Sequence, residues 1–155
     1  MNEDNYPSPI QLENAIYTIG NSVESEEIIN RYYQWLIDNI PESELTPGQN
    51  DRIRNILETI QQDKINHNRI LKNIYYELTG NVVTIVEKEF AEPKDFKMEI
   101  MYEYIRALEG IQKYRLVMFG MPNLSYRDLI YIIISDEIRH ASLYNYITAS
   151  LNNLV

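Results

Sequence analysis

The chain of 155 residues, 45% of them hydrophobic, is long enough to close one core as a single domain over 1–155 and too apolar for disorder. A formal net charge of -9 excludes a surface built to neutralise nucleic-acid phosphates or an anionic membrane, since both need clustered Lys and Arg. With no cysteine, any metal must be held by N and O ligands, and only His67 and His140 can supply an imidazole.

Glycine and proline are scarce, and the prolines fall where helices begin or end, which predicts an all-α chain. Ser8-Pro9-Ile10-Gln11 is a capping-box pattern that opens a first helix over about 9–40. Its apolar stripe runs through Leu12, Ile16, Ile19, Val23, Ile29, Tyr33, Leu36 and Ile40, and Pro41 stops it. A second helix, about 50–79, begins after Thr46-Pro47 or Asn50-Asp51, carries Ile53, Leu57, Ile60, Leu71 and Ile74, and ends at Gly80. Residues 81–94 break the period: Val82 to Val86 reads as extended chain, and Pro93 closes a crossover. The third helix, about 95–119, keeps Phe96, Ile100, Ile111, Tyr114 and Met118 in register. The fourth, about 126–151, is capped by Ser125 with Asp128 three residues on, and carries Ile130, Ile133, Tyr144, Ile147 and Leu151. Two helical hairpins joined by one long crossover between the second and third helices make an antiparallel four-helix bundle. The longest apolar run, Leu129 to Ile134, is far short of the roughly 20 residues that span a bilayer. The acidic start of the chain has neither the basic nor the apolar region of a secretory signal, so the expected location is cytoplasmic.

The stripes pass through ionisable residues. Glu26 on the first helix, Asp63, Lys64 and His67 on the second, and Asp136, Glu137 and His140 on the fourth are all expected to face inward. Buried charges need partners, either metal ions or each other. Glu137-x-x-His140 sets a carboxylate and an imidazole on one helical face, and Asp63 and Asp136 are placed to accept from the ring N–H of a histidine on the facing helix. No phosphate-binding glycine loop, nucleophile elbow or hydrolase triad is present.

Glu26 followed by Arg31-Tyr32-Tyr33, Asp63 to His67 followed by Ile74 to Gly80, Tyr114-Arg115, and Asp136 to Ala141 together resemble the ferritin-like superfamily, in particular its rubrerythrin-type bacterial domains. The resemblance implies a di-iron or di-manganese carboxylate centre of an oxidoreductase, held by Glu26, His67, Glu137 and His140. It also implies a homodimer and, for some members, a spore or stress role. Two ligand positions depart from the family pattern: Lys64 stands where the second helix has its Glu, and Ala107 where the third has its own. Glu103, one turn before Ala107, is the available substitute ligand. Two divalent ions are balanced by four carboxylates, whereas Glu26 and Glu137 supply two and Lys64 returns a positive charge. The expectation is a degenerate site, either metal-free with Lys64 bridging Glu26 and Glu137, or holding a single metal. An active di-metal oxidoreductase using Glu103 and a non-catalytic dimeric assembly protein are the alternatives. The electron donor and substrate are not legible in the residues.

Overall fold

Side-chain caps set where four of the five helices begin in the computed structural model, which describes residues 7–86 and 88–154. Ser8 and Gln11 form a reciprocal capping box that opens α1 (Pro9–Ser22), and Thr46 and Gln49 form another that opens α3 (Pro47–Thr79), earlier than the expected start at 50. Asp95 accepts from the Met98 N–H at 2.9 Å to open α4 (Phe96–Phe119). Asn123, and not Ser125, caps α5 (Leu124–Leu151), because its side chain already accepts the Tyr126 N–H at 3.1 Å. Gly80 ends α3 at φ 71°, the left-handed conformation expected there.

The single first helix expected over 9–40 is instead two, α1 and α2 (Glu26–Asp38), separated by extended backbone at Val23–Ser25. Asn68 of α3 explains the break. Its side chain accepts from Glu24 N–H at 3.0 Å and donates to Glu24 C=O at 2.8 Å, taking over the backbone groups that a continuous helix would satisfy within itself. A short 3-10 turn, Glu42–Glu44, follows α2.

The core divides into two apolar halves. One joins Ile29, Tyr33 and Leu36 to Ile53, Leu57, Ile60, Ile100, Tyr144 and Ile147. The other joins Ala15 and Ile19 to Leu71, Ile74, Tyr114, Val117, Ile130 and Ile133. The α1–α2 arm and α5 meet the second half first and the first half later, whereas α3 and α4 meet them in the opposite order. So α3 and α4 run parallel to each other and antiparallel to the arm and to α5. The connection after Gly80 must therefore return along the length of the bundle, as the crossover expected over 81–94. In it Val83 and Ile85 pack on the second half while Val82 and Val86 face out, the alternation of extended chain, with no strand among the described residues.

The arm packs on α3, α1 on α4, and α3 on α5, and the most extensive contact is between α4 and α5. At Gly120, where α4 ends, a Cβ would lie 2.5 Å from the Gln11 carbonyl oxygen of α1, so the close approach there requires glycine. Among the described residues no helix is long and apolar enough to cross a membrane.

Candidate functional site: a polar layer between two half-cores

Every arm of the fold changes character at one level. On α3 the residues between the two apolar halves are Asp63, Lys64, His67 and Asn68; on α5 they are Asp136, Glu137 and His140; on α4, Glu103, Ala107 and Gly110; and on the first arm the helix itself breaks at this level.

At the centre, the Lys64 ammonium donates to Glu137 Oε1 at 2.8 Å. The Glu137 side chain is 3% exposed and that of Lys64 is 21% exposed. Gly110 on α4 makes room for the carboxylate: a Cβ at Gly110 would stand 3.4 Å from Glu137 Cγ and Cδ. Around this pair the two histidines make crossed bonds between α3 and α5. His67 Nε2 lies 2.9 Å from Asp136 Oδ2, and His140 Nε2 lies 2.9 Å from Asp63 Oδ2. Arg139 ties the two acceptors together, donating to Asp63 Oδ2 at 2.7 Å and Asp136 Oδ1 at 2.8 Å.

A carboxylate only accepts, so each Nε2 carries a proton and donates it to the facing aspartate. The two Nδ1 atoms face Glu137: His67 Nδ1 is 3.7 Å from Oε1 and His140 Nδ1 is 3.8 Å from Oε2. Among the described residues neither Glu137 Oε2 nor His140 Nδ1 has a partner at hydrogen-bond distance, and the Lys64 ammonium is the nearest donor to the central carboxylate. The charges follow from these contacts. Burial opposes the charge of Glu137, but the facing His140 ring and the Lys64 ammonium overcome it and hold its carboxyl down to about 2. Burial opposes the charge of Lys64 as well, and the Glu137 carboxylate reverses that and raises its pKa. Burial pushes His67 below its ordinary value, so it is neutral at pH 7. Asp136 is lowered against its own burial by the bonds from His67 and Arg139.

Not every expected residue is part of this layer. Glu26 is a correction: it stands at the first turn of α2, its side chain is half-exposed, and it meets Lys72 at 3.3 Å instead of the core. The break at Val23–Ser25 is the cause, since it removes Glu26 from the continuous stripe and leaves it at a helix start. Glu103 is buried at this level, but its oxygens are taken by Arg106 and by the Tyr144 hydroxyl, the latter at 3.4 Å. Tyr144 in turn shares a 2.8 Å bond with Tyr33, and both rings are buried. Ala107 is buried and offers no polar atom. Sequence reasoning missed Asn68, Arg139 and Arg106. The signal for Asn68 was an amide beside His67 on a buried stripe; Arg139 and Arg106 lie off the stripes and gave none.

A cavity of about 940 Å³ opens beside the layer, between the first arm, α4 and the crossover, with Tyr32, Tyr33 and Tyr114 in its walls and Lys64, His67 and Glu137 reaching it.

The residues do not fit a dinuclear metal centre. The ammonium of Lys64 is on the Glu137 carboxylate, Glu26 is outside, Glu103 is engaged by Arg106, and Ala107 cannot ligate. Among the described residues no group of three or more His, Cys, Asp or Glu is arranged to hold a metal ion. Comparison with protein-family models, with characterised proteins and with solved structures finds no match to this chain.

Proposed function

We propose that this chain is a ferritin-like, rubrerythrin-like bundle in which the charge of a di-metal centre has been replaced by that of Lys64, and that it acts as a non-catalytic structural or assembly protein without di-iron oxidase or peroxidase activity. One observation carries the reading: the Lys64 ammonium sits 2.8 Å from Glu137 Oε1, at the place toward which both histidine Nδ1 atoms point. The helix directions and the long return after Gly80 support the ferritin-like part of it, as do the paired Asp–His bonds at equivalent places on α3 and α5. The charge balance supports the rest. Lys64 neutralises Glu137 and Arg139 bridges Asp63 and Asp136, so a layer that would otherwise carry three uncompensated carboxylates retains a charge of about one unit.

A polar layer held by directional bonds does a job that an apolar core cannot do alone. It fixes the register of α3 against α5, because a slip of one turn would leave Glu137 and both aspartates without partners. Tyr33 and Tyr144 extend the same layer by their mutual hydrogen bond. The test is functional. Purified chain incubated with ferrous iron and oxygen, or with hydrogen peroxide and a reductant, is expected to turn over no faster than the Glu137→Gln variant. Oxidation or peroxide reduction proportional to chain concentration and abolished by Glu137→Gln would overturn the proposal.

A further inference from the structure

The helix α4 is apolar on two opposite sides. One side carries Phe96, Ile100, Ala107, Tyr114 and Val117 into the core. The other presents Met98, Met101, Tyr102, Ile105, Leu108, Leu116 and Phe119 to solvent, each between 40 and 68% exposed. At 100° per residue these seven fall within one stripe about 120° wide, directly opposite the buried face, at the spacing of three and four residues that forms a helix–helix seam. Together they expose roughly 650 Å² of side chain, above the roughly 300–600 Å² of the largest apolar patch on a typical monomer and most of the ~800 Å² per partner that a stable interface buries.

We infer that this face of α4 is a self-association surface, and that its occupant is the same helix of a second copy, packed antiparallel about a two-fold axis near Gln112. Two features of the sequence select that occupant. The stripe is interrupted by Glu109 and bordered by Arg115, three residues to either side of Gln112, so a two-fold at Gln112 brings Glu109 of each copy to Arg115 of the partner subunit. The same axis sets Ile105 against Phe119 of the partner subunit and Leu108 against Leu116 of the partner subunit, apolar on apolar throughout. It also carries Met98 and Met101 toward the start of the partner's α5, where Leu124 is 72% exposed. A lipid surface is the poorer occupant for a chain of net charge -9. This surface lies on the side of α4 away from the Lys64–Glu137 layer, so it stands or falls independently of the reading of that layer.

The experiment uses the whole chain. Sedimentation equilibrium is expected to give twice the chain mass at micromolar concentration, and Ile105→Glu with Leu108→Glu to weaken the dimer by more than ~100-fold while leaving the helical circular dichroism unchanged. Because the chain has no cysteine, a single Gln112→Cys gives an unambiguous second readout. On the two-fold axis it should oxidise to a disulfide-linked dimer far faster than Glu58→Cys, which is exposed on α3. A monomer at 100-fold higher concentration, a dimer indifferent to the two glutamates, or equal cross-linking at 112 and 58 would each overturn the assignment.

Discussion

Lys64→Met removes the ammonium from the polar layer while nearly preserving the volume of its stem. Glu137, with its side chain 3% exposed, then keeps a buried charge without its 2.8 Å donor, the two imidazole Nδ1 atoms standing 3.7 and 3.8 Å away. Breaking a buried pair from one side costs about 3–5 kcal/mol, a large share of the roughly 5–15 kcal/mol that holds a domain together. Glu137→Met is the milder change, since Lys64 is 21% exposed and its ammonium can shift toward solvent along the cavity, which limits its cost to about 1–2 kcal/mol. The double variant, Lys64→Met with Glu137→Met, removes both charges together and is expected to lie within about 1–2 kcal/mol of the parent. Urea unfolding at pH 7, followed by circular dichroism across all four proteins, gives the coupling energy directly. A coupling of at least about 2 kcal/mol is expected between Lys64 and Glu137, and single costs that add to within ~0.5 kcal/mol would refute the pairing.

Four further outcomes follow from the same contacts. Glu137 titrates at about 2 in the folded chain against an ordinary 4.5, so the folded form holds its proton more weakly. The stability from this group is complete above about pH 4.5 and is lost as pH falls toward 2, by roughly 3 kcal/mol in total, which denaturant midpoints across that range would show and Glu137→Gln would abolish. His67, lowered by burial, adds a loss with the same sign that begins as pH falls below about 6.5, readable by NMR titration of its ring. Asn68→Ala leaves both backbone groups of Glu24 without their 3.0 and 2.8 Å partners, and is expected to cost about 1–3 kcal/mol and to speed amide exchange at Val23–Ser25 specifically. Gly120→Ala sets a methyl 2.5 Å from the Gln11 carbonyl and 2.6 Å from Ala15 Cβ, so α1 and α4 must separate, and a melting temperature within a degree of the parent would contradict that packing.

The pattern of apolar residues located the helical stretches, because burial of a stripe leaves a period of 3.6 in the sequence wherever packing decides the residue, while the starts of α3 and α5, set by caps at Thr46 and Asn123, lie a few residues earlier than expected. The break at Val23–Ser25 left no such trace. Residues 19, 23, 29 and 33 keep a helical rhythm across it, and what interrupts the backbone is the side chain of Asn68, distant in sequence and brought near by the pairing of the arm with α3. The misplacement of Glu26 follows from that one miss, since a stripe extended through a break assigns the wrong face to the residue beyond it. His67, His140, Asp63, Asp136, Lys64 and Glu137 were legible for the opposite reason: a polar side chain on an apolar stripe is costly, so each one marks a partner across the core. Arg139 was hidden because a long side chain reaches the layer from an outward position.

Reconstruction separates a changed charge from a changed geometry. Lys64→Glu with Ala107→Glu supplies two carboxylates at the departed positions and is expected to gain tight manganese or iron binding; no gain would mean that the displacement of Glu26 to Lys72 has also altered the site. The most direct measurement is made on the unmodified chain: metal content by mass spectrometry after purification from medium supplemented with iron and manganese. With Lys64 holding the place of the metal charge, well under one equivalent per chain is expected, and two equivalents per chain would contradict the account.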